Sequence, residues 1–89
     1  MNTLLVSYEL QGGGDYSAVR TKLTSGASWW HHLDSVWLVI TDQGCDDYEK
    51  ELSAVLQPGD KLLVIDVTAV TTRWNGFDDD ASNWIKESP

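Results

Sequence analysis

The sequence predicts an α+β fold: a four-stranded antiparallel sheet connected β-α-β-β-α-β, two helices on one face, and a further helix at the C-terminus. Three observations predict it. Thr3–Leu10 alternates, with Leu4, Val6, Tyr8 and Leu10 on one side and Thr3, Leu5, Ser7 and Glu9 on the other, the period of a half-buried strand. Ser28–Leu33 and Val36–Thr41 are two strand-like runs around Asp34-Ser35, which reads as a hairpin. Cys45, Tyr48, Leu52, Val55 and Leu56 recur at helical spacing and lead through Pro58-Gly59 into the apolar run Asp60–Thr68.

The remaining elements follow from local chemistry. Gln11-Gly12-Gly13-Gly14 breaks the first strand. Asp15 suits a helix N-cap ahead of Tyr16, Val19 and Leu23, and Ser25-Gly26 closes that helix. The glycine run lacks both the Gly-x-Gly-x-x-Gly pattern and a P-loop Lys, so it reads as a turn rather than a phosphate cradle. Arg73-Trp74-Asn75-Gly76 reads as a turn or a short extra strand. Asp78-Asp79-Asp80 opens a final helix with Phe77, Ala81, Trp84 and Ile85 on one side, its acids suited to the positive end of the helix dipole. The element order is that of the ferredoxin-like split βαβ fold. Its usual strand order puts the first and third strands centrally, the fourth beside the first and the second at the far edge.

The chain of 89 residues makes one domain, 1–89, with a C-terminal extension from about residue 70. Six Lys and Arg against fourteen Asp and Glu give a formal charge of −8, which argues against nucleic-acid binding through a broad basic face. The apolar runs are too short to span a membrane. Met1 leads straight into a strand, with no basic segment ahead of an apolar one, so no secretory signal is expected. Cys45 is the only cysteine, which excludes an intrachain disulfide and fits a reducing cytoplasm. It stands near a helix start, where a thiolate is favoured, but with no evident base it reads as structural.

Two helices cover only one face of such a sheet, and the alternation implies that the other face is not polar. With a regular hairpin, Leu33 faces Val36 and Trp30, His32, Trp37 and Val39 share a side. The helix side then takes Leu4, Val6, Tyr8, Val36, Leu38, Ile40, Leu63, Ile65 and Val67. The open side takes Ser7, Glu9, Trp30, His32, Trp37, Val39, Leu62, Val64 and Asp66. An apolar patch of this kind calls for a cover, either the Trp74–Ile85 tail or a second copy of the chain, and a homodimer is the preferred expectation.

The segments LLVSYEL, WWHHLDSVWLVITD and LLVIDVT, with the Trp-Asn-Gly-Phe-Asp turn, resemble a family of small bacterial and phage proteins labelled "SinR family". The resemblance covers nearly the whole chain, and Trp29–Ser35 is its most specific part. That family is similar in architecture to the CRISPR-associated Cas-two and VapD-like proteins. The resemblance implies a ferredoxin-like homodimer, and more weakly a nuclease in which an Asp ending the first strand meets its symmetry mate around a divalent metal. Tyr8-Glu9-Leu10 matches that position, so Glu9 becomes the candidate metal ligand and general base, with His32 or Asp66 assisting. Glu9 replaces the Asp, and its extra methylene displaces the carboxylate from where octahedral Mg²⁺ would need it.

Two functions from different classes follow. The first is a non-catalytic or weakly catalytic dimeric interaction module acting by protein contacts, with Ser7, Trp30, His32, Trp37 and Trp74 at its interface. As an acidic dimer it would suit an inhibitor or regulator, phage- or bacterium-encoded, that mimics a polyanion. It needs no cofactor. The second is an endoribonuclease in which Mg²⁺ held by Glu9 at the two-fold activates water. Asp66, on the open side with Ser7, reads first as a structural carboxylate bonded to Ser7, to backbone or to Arg73. His31 and His32 point to opposite faces, so they cannot chelate one metal together.

Overall fold

A computed structural model describes residues 1–12 and 16–87. The order is β1 (Asn2–Glu9), α1 (Ser17–Leu23), β2 (Ser28–Leu33), β3 (Val36–Thr41), α2 (Cys45–Ser53), β4 (Lys61–Asp66) and α3 (Asp79–Glu87). The four strands form one antiparallel sheet in the order β2-β3-β1-β4. This α+β arrangement is consistent with the ferredoxin-like order expected from the sequence, with the same two central strands. Asp15, expected as the cap of α1, lies outside the described residues, as do Gly13 and Gly14. Arg73–Gly76 forms no strand.

The core lies between one sheet face and the helices α1 and α2. Leu4 and Val6 from β1 and Trp37 and Val39 from β3 pack with Val19 and Leu23 of α1 and Tyr48 and Leu52 of α2. Leu62, Val64 and Tyr8 complete its border. Directly paired residues share a face. Val6 pairs with both Trp37 and Val64, and Leu4 pairs with Val39, so these positions all face the helices.

The face assignment expected for β3 and β4 is therefore corrected. Trp37, Val39, Leu62 and Val64 belong to the helix side. Val36, Leu38, Ile40, Leu63, Ile65 and Val67 belong to the other side with Leu5 and Ser7. Pairing with β1 is the physical reason for these two strands, and a bulge in the hairpin then parts Trp30 of β2 from Trp37. Leu33 pairs with Val36, but Trp30 pairs with Leu38 rather than Val39, because the register shifts between Trp30 and Leu33. Two residues, His31 and His32, oppose Trp37 alone. The slip leaves Trp30 on the open face while Trp37 turns inward.

The chain after β4 crosses the open face. Val67 N–H still donates to Thr3 O, and Thr3 N–H donates to the Thr68 hydroxyl, which fastens the start of this strap to β1. Ala69 and Gly76 adopt left-handed φ of 58° and 90° and bend it near its two ends. Asp78 caps α3: its Oδ1 accepts from Ala81 N–H, with Asp79 and Asp80 in the first turn, so the aspartate triplet starts a helix. Trp30 Nε1 then donates to Ala81 O across 3.1 Å, its ring meets Phe77 edge-on at 5.0 Å, and Trp84 Nε1 donates to Ser28 Oγ at 2.7 Å. Three residues of the tail, Phe77, Ala81 and Trp84, thus dock onto β2, and Trp30 is buried.

Candidate functional site

Glu9 ends β1 on the open-face parity. Its carboxylate is exposed and sits 3.6 Å from the Lys61 ammonium directly across the β1–β4 pair. Asp66 pairs with Leu4, so it belongs to the helix-side parity and not with Ser7. It is exposed at the strand end, where the Thr68 hydroxyl donates to it at 2.6 Å and the Thr68 N–H at 3.0 Å. Those two bonds hold the carboxyl below the usual range, outweighing a small desolvation. Its role is to order the turn that starts the strap. Glu9 and Asp66 stand at opposite ends of β4's pairing with β1, so the structure does not bring them together.

His32 is exposed beside Trp30, with ring centres 5.1 Å apart. His31, not His32, packs on Trp37, in a parallel stack at 4.0 Å and 8°. Its Nδ1 lies 3.0 Å from Val36 O; a carbonyl only accepts, so Nδ1 carries the hydrogen. Trp29 tilts against the same indole at 5.3 Å, and the Arg20 guanidinium lies 5.5 Å from its centre. Trp37 Nε1 donates to Tyr8 OH at 3.0 Å. Trp37 is therefore a core anchor rather than an interface residue. Cys45 packs against the same core with its thiol on Val64 O. Among the described residues no three His, Cys, Asp or Glu side chains gather in one place.

The pronounced concavity lies on the open face. The strap runs from the end of β4 to α3, which docks on β2. It leaves a groove of about 630 Å³, floored by Leu5, Val36 and Leu38 and walled by Trp30, Trp74, Phe77 and Trp84. Trp74 is fixed by a bond from its Nε1 to Ser82 Oγ at 3.2 Å. Arg73 and Lys86 also line the groove, and among the described residues no Asp or Glu does. Of the expected interface residues, Trp30 and Trp74 line it; Ser7, His32 and Trp37 do not. From the sequence, Arg73 is named only as a partner for Asp66, Trp84 only within the covering tail and Leu38 on the helix side, and Leu5 and Lys86 are given no role. The β1–β3 register would have revealed Leu5 and Leu38, had it been legible.

Beyond the groove, β4 is an edge strand. Leu63 is 55% and Ile65 43% exposed on it, two residues apart on the open face. No helix of the described chain is long and apolar enough to cross a membrane. Comparison with family models, curated proteins and solved structures finds no match to this chain.

Proposed function

We propose that the chain is a non-catalytic or weakly catalytic interaction module of ferredoxin-like type that works as a homodimer through protein contacts. The observation that carries this reading is the pair Leu63 and Ile65, exposed on an unpaired edge strand. Such an edge offers a row of backbone donors and acceptors together with apolar side chains, which is the chemistry of strand addition. A second copy fits it. Isologous antiparallel pairing about Val64 sets Leu63 opposite Ile65 of the other copy, twice over, and keeps both open faces on the same side. The accessible surface of 5595 Å² also exceeds the ~5,200 Å² expected of a monomer of this mass, in the direction of an uncovered face. The resemblance to the "SinR family" and the Cas-two and VapD-like proteins agrees with a dimer. The resulting acidic assembly, about −16 in all, suits protein partners with a basic groove better than nucleic acid itself.

Light scattering at micromolar concentration tests the reading. The wild type is expected at about twice 9.9 kDa, and Ile65→Lys at the monomer mass with its circular dichroism intact. A monomeric wild type overturns the dimer. The nuclease alternative is tested with Mg²⁺ or Mn²⁺ on RNA and DNA at low salt. Cleavage that disappears in Glu9→Ala would replace the interaction module with the enzyme.

A further inference from the structure

We infer that the groove beneath the strap is a binding site for a small amphipathic carboxylate, a compound with an extended apolar body and one anionic head. This site is separate from the β4 edge and does not depend on the dimer.

Three observations carry it. The first is size: about 630 Å³ lies within the ~300–1,000 Å³ range of small-molecule sites. Residues of the sheet, the strap and α3 all line it, which suits a small molecule better than a folded partner.

The second is the lining. Leu5, Val36 and Leu38 present branched aliphatic chains from the sheet. Trp30, beside Leu38 on the sheet, and Trp84 of α3 add indole surface, with their N–H groups already committed to Ala81 O and Ser28 Oγ. The wall therefore offers hydrocarbon and ring surface and holds its rotamers before any ligand arrives, which keeps the entropy cost of binding small.

The third is charge. The chain has six cationic residues in a formal −8, yet two of them, Arg73 and Lys86, line this one groove, and among the described residues no Asp or Glu does. Among the described residues the ion pairs are Lys22 with Glu51 and Lys61 with Glu9, and neither includes Arg73 or Lys86. Arg73 spends one N–H on Thr72 O and keeps the rest of its fork for a ligand. A carboxylate near these two groups is attracted locally by a protein whose overall field repels it.

That opposition makes the test decisive. Adventitious adsorption to a protein of this charge favours a cationic amphiphile, whereas the groove favours an anionic one. Decanoate and decylammonium, both kept below their micellar concentrations, are titrated into the full chain. Binding is followed by calorimetry and by tryptophan emission, since Trp30, Trp74 and Trp84 line the site. One decanoate per chain is expected, at least tenfold tighter than decylammonium. The Arg73→Gln/Lys86→Gln double variant, with circular dichroism unchanged, is expected to lose that preference. Equal or tighter binding of decylammonium by the wild type overturns the proposal without reference to any variant. So does the absence of saturable decanoate binding, and so does a double variant that keeps the preference. Light scattering on the same samples reads the dimer separately, so failure of one does not count against the other.

Discussion

Replacing Trp37 by Ala tests the centre of the core. Trp37 is 0% exposed and is the largest fully buried side chain. An indole buries about 150–250 Å², which at about 25 cal/mol/Å² is worth roughly 4–6 kcal/mol of transfer energy. Truncation to Ala keeps the Cβ and permits some collapse, for a cost of about 3–5 kcal/mol. The change also removes the donor to Tyr8 OH, the platform under the His31 ring, and the contacts with Trp29 and Arg20. A domain of 89 residues has a total stability of about 4–13 kcal/mol, so this substitution takes roughly a quarter of it or more. The assay is urea unfolding followed by circular dichroism. With a slope of about 1–1.5 kcal/mol/M, the midpoint should fall by about 2–5 M. Trp29→Ala is the internal comparison, because Trp29 touches the same indole yet is 44% exposed; it should cost about 1 kcal/mol. A Trp37→Ala midpoint within about 0.5 M of wild type, or equal losses in the two variants, would refute the placement of Trp37 between sheet and helices.

Val39→Asp and Leu38→Asp test the alternation along β3. Val39 is 1% exposed in the core, so an unpaired carboxylate there should unfold the chain, while Asp at Leu38 on the groove floor should leave a folded protein; the reverse order would put the faces back as first expected. Gly26→Ala should destabilise by about 1–3 kcal/mol, since a Cβ there would stand 2.5 Å from Ile40 O, the acceptor of Ala27 N–H; an unchanged melting temperature would contradict that approach. Burial, reinforced by the Glu51 charge, pushes the Tyr48 phenol from 10.0 up to about 12. A raised folded pKa means that its stabilising share is complete below pH 10 and is lost as pH rises toward 12, by about 2–3 kcal/mol in all. Titration of phenolate absorbance should show a late component that vanishes in Tyr48→Phe. At the acid end, partial desolvation raises the Asp60 carboxyl, but bonds from Gln11 N–H, Gln57 N–H and Tyr16 OH outweigh it and hold it below the usual range. Its stabilisation is present above the unfolded carboxylate pKa of about 4 and fades as pH falls below it, so Asp60→Asn should flatten the acid limb of a stability-against-pH curve.

The elements were legible in the sequence because each announces itself locally. Alternation marked β1, the Asp34-Ser35 turn placed β2 and β3 at their observed bounds, and the Cys45–Leu52 stripe with Pro58-Gly59 bracketed α2. Element order and the expected strand order required nothing beyond these. The aspartate triplet was legible as a helix start for the same reason, since capping is a contact within one turn. The two faces of the sheet were not legible. β3 reads Val-Trp-Leu-Val-Ile and β4 reads Leu-Leu-Val-Ile, apolar at both parities, so periodicity cannot say which set faces the helices. Only the pairing of Val6 with Trp37 and Val64 decides it, and that pairing joins residues far apart in the chain. The bulge at His31-His32 then broke the link between the hairpin turn and the rest of β2, and nothing in the residue types marks where one strand will carry an extra residue. The groove follows from both. Leu5 and Leu38 become its floor through strand register, and Arg73 and Lys86 reach it because the strap bends at Ala69 and Gly76 and α3 docks on Trp30. Local chemistry determined which segments are strands and helices; long-range register determined which side chains meet, because a shift of one residue turns every side chain of a strand to the opposite face.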